Sequence, residues 1–241
     1  MGGERGCDMA LLTPRRGGRA LMSFVLASLA LASAGAASAA DEDAQAWAVV
    51  NATGALNDKV VVAFDSQARF SDDASRLGQL IVRPSVGWRL DSTTTASLGY
   101  AYIRSTPEGR PTTHEHRGWQ QMSYRIAGDG KGVTLTGRTR LEQRWLEGRD
   151  GTGWRVRQQV RLTAPVQNGV RAVAWTEPFV GFNQTSWGQS DGLHLLRSFA
   201  GVSVPISKTV TLEPGYLHQR AYRSGPDAVT HAAAVWINLQ F

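Results

Sequence analysis

The sequence predicts an all-β protein: an antiparallel, up-and-down transmembrane β-barrel of 10–12 strands with a polar lumen. Three observations lead there. Beyond residue 40 the chain divides into runs of about ten to sixteen residues in which apolar and polar side chains alternate. Ordinary strands have about five or six residues, and a tilted membrane-spanning strand needs about 9–11. The links between runs alternate between tight and long, as in barrels whose two rims face different surroundings. In the clearest runs, finally, one face is oily and the other carries charged and polar residues, Arg above all.

The first 40 residues are read as a signal peptide that is removed. Arg15, Arg16 and Arg19 form a basic start, "ALMSFVLASLALASAGA" a short apolar core, and "ASAA" at Ala37–Ala40 a small-residue cleavage site. Met9 and Met22 offer alternative starts within it. The exported domain is then 41–241. The one cysteine, Cys7, falls in the leader, so the mature domain has neither disulfides nor thiolate sites. Residues 1–40 carry +2 of the overall +6. The remainder is modestly basic and has no Lys/Arg block that could track a nucleic-acid backbone, which excludes that partner class.

The runs, in order, are "AWAVVNATGAL", "KVVVAFDSQARFS", "LGQLIVRPSVGWRL", "TTASLGYAYIRS", "EHRGWQQMSYRIA", "GVTLTGRTRLEQRWLE", "WRVRQQVRLTAPV", "VRAVAWTEPFVGFNQ", "LHLLRSFAGVSVPI", "VTLEPGYLHQRAYR" and "THAAAVWINLQF". The tight links "LNDK", "LDST", "GDGK", "VQNG" and "ISK" supply the Asn, Asp and Gly that hairpins use for positive φ. Between them lie "SDDASR", "STPEGRPTTH", "EGRDGTG", "TSWGQSDG" and "RSGPDA" as the longer links. Val60, Val62, Phe64, Ala68 and Phe70 oppose Asp65, Gln67 and Arg69, and Leu80, Val82, Val86, Trp88 and Leu90 oppose Arg83, Ser85 and Arg89. Further on, Leu135, Leu141 and Trp145 oppose Arg138, Arg140, Glu142 and Arg144, while Trp154, Val156, Val160 and Leu162 oppose Arg155, Arg157 and Arg161. A soluble sandwich shows the same alternation with its polar face in water. The length and uniformity of the runs argue for the barrel.

Rings near the ends of runs suit a headgroup-level girdle: Trp88, Trp145 and Trp154, with Tyr100, Tyr102, Trp175 and Trp187. The last run places Val235, Ile237, Leu239 and Phe241 on one oily face up to the final residue. A closing barrel strand pairs on both edges and does not fray. The strand count is open at this stage. Eleven runs are visible, whereas single-chain bacterial barrels have even numbers. Either the first run lies at the rim or in the lumen of a ten-stranded barrel, or a twelfth strand exists.

The blocks "LNDK", "FSDDASRLGQLIVRPSVGW", "SLGYAYI", "EHRGWQQ", "RTRLEQR", "WRVRQQVRL" and "EPGYLHQ", in this order, resemble the domain-of-unknown-function family 2490, a group of predicted Gram-negative outer-membrane proteins. The resemblance spans nearly all of residues 47–241 and rests most on "EHRGWQQ" and "RTRLEQR". It implies an envelope location and a barrel fold, and carries no activity. A terminal Phe on the last strand is similar to the signal read by the barrel assembly machinery. The partners it implies are that machinery, outer-membrane lipid and lipopolysaccharide.

The candidate site is the polar stripe of Arg138, Arg140, Glu142 and Arg144 beside Arg155, Arg157 and Arg161. Neighbouring strands bring such side chains within reach of one another. They form either a cationic constriction that favours anions or an internal ion-pair network in which Glu142, Glu177, Asp65 and glutamines balance the arginines. The expected role is structural or passive, with a narrow anion-favouring channel as its sharper form. The alternative is a surface lipid- or lipopolysaccharide-modifying enzyme. For that class the histidines are His114, His116, His194, His218 and His231, with Ser105 or Ser186 near His114 and His116. The His114-Glu115-His116 cluster could also hold a metal, but it is the only closely spaced histidine pair, and no pattern marks a nucleophile or a cofactor fingerprint.

Overall fold

Eleven strands close into one barrel in the computed structural model, which describes residues 41–241. The signal peptide expected over 1–40 lies outside the described residues. The strands are β1 (Asp41–Ala55), β2 (Val60–Ser71), β3 (Arg76–Arg89), β4 (Thr94–Ser105), β5 (Thr113–Ala127), β6 (Thr134–Leu146), β7 (Gly153–Gln167), β8 (Val170–Gly181), β9 (Gly192–Pro205), β10 (Val210–Ala221) and β11 (Ala228–Gln240). Each coincides with one of the alternating runs. At roughly 3.3 Å per residue and a tilt of about 40°, strands of this length rise roughly 30–35 Å.

Consecutive strands pair antiparallel, and the ring is completed by β1 and β11, which run parallel from Asp41↔Ala228 to Thr53↔Gln240. This corrects both sequence options for the strand number. The first run does begin at the long-link rim, as its phase requires. It enters the wall as an eleventh strand because a parallel ladder, with its slanted hydrogen bonds, accepts a strand of that direction without a twelfth. Inside the barrel, the Asn51 amide donates to Asn238 Oδ1 across this seam at 2.9 Å.

The tight-turn chemistry is local and side-chain driven. Asn57 Oδ1 accepts the N–H of Lys59 and Val60 at 2.9 and 2.8 Å. Asp129 Oδ1 accepts those of Lys131 and Gly132 at 2.9 and 2.8 Å. Asn168 and Gly169, at φ 51° and 78°, make the two-residue turn with both central residues left-handed that "VQNG" demands. One expected long link is short: β2 and β3 run so far that only Asp72–Ser75 separates them. Asp72, Asp73 and Ala74 all sit at φ 55–60° there. Ser75 Oγ donates to the Asp72 carbonyl at 2.6 Å, and Arg76 pairs with the Asp72 carboxylate.

The face assignment follows the alternation. Phe64, Trp88, Leu98, Trp145, Trp154 and Val160 are exposed on the outside, and the arginine stripes point inward. Inside, the arginines share the volume with two apolar clusters. Trp47, Val173, Trp175, Phe199 and Leu217 pack with Ala232, Ala234 and Trp236, and Ile81, Ala101, Ile103 and Trp119 form the second. Small residues make room for the rings. A methyl added at Gly201 or Gly215 would overlap Phe199, and Phe199 packs edge-on to Trp236 with centroids 4.8 Å apart.

The girdle expectation divides. Trp88, Trp145 and Trp154 are about two-fifths exposed on the outer face, and Phe241 is exposed at the tight-turn rim. Trp175 is a correction: it is an interior residue, 7% exposed and stacked on Phe199. Its strand carries its bulky groups inward (Val173, Trp175, Phe179) and small ones outward (Ala172, Ala174), the reverse of the usual contrast.

Candidate functional site: the arginine-lined interior

All seven predicted polar residues, Arg138, Arg140, Glu142, Arg144, Arg155, Arg157 and Arg161, face the interior. Five of them form two carboxylate centres, Glu142 and Glu177. Glu142, 1% exposed, receives Arg155 Nε at 2.6 Å and Arg157 Nη1 at 2.9 Å. Arg140 and Arg117 stand 3.8 and 4.0 Å away. Arg157 also forks onto Glu177 at 2.8–3.1 Å, and Glu177 accepts Arg138 at 2.7 Å. The result is a continuous alternation Arg155–Glu142–Arg157–Glu177–Arg138. Nearer the long-loop rim, Glu115 joins Arg144 and Arg117 at 2.5 and 2.7 Å. Arg161 stands apart and reaches across the lumen to Glu213 of β10 at 2.5 Å. Buried carboxylates and guanidiniums are tolerated in such an interior only when paired and hydrogen-bonded. The predicted stripe is therefore an ion-pair network in its centre.

The network does not neutralise the interior. Arg140 donates from Nε to Gln121 at 2.8 Å and lies 4.1 Å from the Trp119 ring centroid, while its Nη1 makes no hydrogen bond. Arg69 donates to Gln67 and Gln79, and Arg197 to Gln219. Among the described residues, neither Arg69 nor Arg197 has a carboxylate within ion-pair distance. Arg117, Arg197, Glu115 and Glu213 were not singled out from sequence, and Arg69 was placed only on the polar face of its run. The signal for them was present, because each lies on the inward-facing register of its strand.

Two cavities of about 360 Å³ each lie inside the wall, one towards each rim. Arg83, Arg157 and Arg197 line both and form the waist between them. The cavity towards the tight turns includes Asp65, Glu177 and Glu213 in its wall. The cavity towards the long loops is lined by Arg69, Arg117 and Arg155 besides the waist, and by no carboxylate.

The residues considered for catalysis do not assemble. Ser105 faces inward and accepts a hydrogen bond from Gln79 at 2.9 Å. His114 and His116 face outward, hydrogen-bonded to Tyr102 and Tyr100 respectively. His231 likewise bonds Tyr216 on the outer face at 2.5 Å.

Comparison with known proteins agrees with this architecture and adds no chemistry. An uncharacterized protein of Methylorubrum extorquens is 37% identical over 203 residues, covering 82% of this chain and 88% of that protein. The family model described as "Protein of unknown function (DUF2490)" matches residues 44–230, which takes in most of the barrel wall and the whole Arg138–Arg161 stripe. On the strength of that match and that relative, the chain belongs to the DUF2490 family.

Proposed function

We propose that this barrel spans the bacterial outer membrane in a structural or passive role, with its interior serving as a narrow, anion-favouring passage. The observation that carries the membrane reading is an apolar hem at the tight-turn rim. Every hairpin turn there begins or ends in an outward, well-exposed apolar residue: Leu56, Leu90, Val133, Val166 and Ile206, joined by Phe241 after the last strand. In water such a ring costs solubility. At a bilayer boundary it extends the apolar band of the wall. Outward polar side chains in mid-wall support the same reading, because they satisfy one another. Gln120 and Gln143 exchange hydrogen bonds at 3.2 and 3.0 Å, and Gln158 reaches Tyr124 at 3.2 Å. Groups facing hydrocarbon need internal partners of this kind. The long-loop rim then faces outward, towards lipopolysaccharide. Phe241 is the contact for the assembly machinery.

The anion preference rests on the waist of Arg83, Arg157 and Arg197 and on the excess of guanidinium over carboxylate around it. The test is planar-bilayer conductance of the purified mature barrel. A small, anion-selective conductance is expected, with selectivity reduced in Arg197→Gln. A barrel that inserts but stays electrically silent removes the passage. A protein that stays in water and ignores vesicles removes the membrane reading.

A further inference from the structure

The carboxylate-free cavity at the long-loop rim contains a feature the ion-pair network does not explain. Arg69 of β2 and Arg197 of β9 both lie against Trp47, with guanidinium carbons 3.8 and 5.0 Å from its ring centroid. Each is held by amide oxygens alone. Arg69 donates from Nε and Nη2 to Gln67 at 3.2 and 2.6 Å and from Nη1 to Gln79 at 2.9 Å. Arg197 donates from Nε and Nη2 to Gln219 at 3.1 and 2.6 Å. The remaining N–H groups of both find no protein acceptor among the described residues. Guanidinium stays charged in a protein. The other buried arginines of this interior come within 4 Å of a Glu, Arg140 included at 3.8 Å from Glu142, so at Arg69 and Arg197 an amide-only arrangement leaves two forks oriented, charged and unmatched.

We propose that Arg69 and Arg197 form a two-pronged binding site for a small soluble oxyanion carrying two negative charges, of the phosphate or dicarboxylate class. The reasons are geometric and electrostatic. Two forks against one ring suit a ligand with two or more oxygens, and forked N–H pairs match oxyanions better than they match a spherical halide. Arg83, Arg117, Arg155 and Arg157 line the same cavity with their carboxylate partners set behind them, outside its lining. Neutral glutamines hold the forks in place without cancelling their charge, as a built acceptor site requires. The cavity lies inside the wall, which favours a solute over a lipid headgroup. The site rests on the anion-passage reading for the route by which its ligand arrives, and it names the class of anion that passage would retain.

The experiment is calorimetric titration of the detergent-solubilised mature barrel with inorganic phosphate and with succinate in a chloride background, backed by thermal-shift readings. Saturable binding of at least one is expected. The affinity should fall at least tenfold in Arg69→Gln and in Arg197→Gln and stay unchanged in Arg171→Gln, at the opposite rim. The ligand-free Arg69→Gln barrel should melt no lower than the native one, because an unmatched charge has been removed. That result separates a ligand site from a purely structural arginine. Absence of saturable binding by the native barrel overturns the site, as does native affinity in folded Arg69→Gln and Arg197→Gln. Should a glutamine variant fail to fold, Arg69→Lys keeps the charge and loses the fork, and undiminished affinity there overturns the proposal equally. Conductance without binding removes this site and leaves the passage. Binding without conductance leaves the site and removes the passage.

Discussion

Glu142→Gln tests whether the interior is held by charge pairing. The carboxylate accepts two charge-assisted hydrogen bonds, from Arg155 at 2.6 Å and Arg157 at 2.9 Å. Such bonds contribute about 1.5–3 kcal/mol each. Arg157 keeps Glu177 as a partner, so the cost falls mainly on Arg155, whose other neighbours are cationic or aromatic. Breaking one side of a buried pair costs about 3–5 kcal/mol. Glutamine keeps the shape and one acceptor oxygen, which puts the expected loss near the lower end, about 3 kcal/mol. For a domain of this size that lowers the melting temperature by roughly 6–12 °C. Urea titration of the barrel in detergent micelles, followed by tryptophan fluorescence, measures it. The control is Arg155→Gln alone and combined with Glu142→Gln. The double variant should be less destabilised than the two single losses together, by about 1 kcal/mol or more. A loss under about 1 kcal/mol for Glu142→Gln, with no coupling to Arg155, refutes the reasoning and means that water already solvates these groups.

Three further outcomes follow from other parts of the wall. Val160→Arg puts a charge on the outer face in mid-strand; in a bilayer it should cost about 2–4 kcal/mol, against about 0.5 kcal/mol or less for an exposed position in water, and vesicle-refolding titrations distinguish the two. Ala74→Gly should stabilise by about 0.5–1 kcal/mol, because Ala74 sits at φ 60°, where a Cβ costs roughly 1–2 kcal/mol; an unchanged urea midpoint would show that the left-handed turn is not strained. The Asp129 carboxyl is held below its ordinary value by the Gly132 and Lys131 N–H groups. A depressed carboxyl stabilises its turn at neutral pH and loses that contribution only as pH falls through the lowered value. The Gly132 amide resonance should therefore titrate at a pH below the ordinary Asp midpoint, and an inflection at or above that midpoint would show the turn bonds are absent.

The strand runs and the sidedness of most of them were legible because period-two alternation writes inside and outside directly into the sequence. The stripe Arg138–Arg161 was placed inward on that basis alone. Pairing across the lumen was not legible. Alternation says which face a side chain occupies, while Arg161 meeting Glu213 depends on the barrel's circumference and stagger, which are set by all the strands together. Trp175 was misplaced for a related reason. An aromatic near a strand end on a strand with two moderately apolar faces looks like a girdle residue, and the space that draws it inward is made by Gly201 on the neighbouring strand and Gly215, Ala232 and Ala234 further round the wall. The strand number failed on an assumption of evenness, which a parallel closure removes.

That parallel closure also dictates the order of construction. Every other pair of neighbouring strands can be laid down by a hairpin, with partners a few residues apart. Joining Asn51 to Asn238 brings together positions 187 residues apart, so zipping this edge waits until the whole wall has curled round. It also leaves the starting and finishing tips of the ribbon at opposite mouths. Reconnecting them for a circular permutation would take a tether as tall as the cylinder itself, so new openings are best cut at the generous outer links.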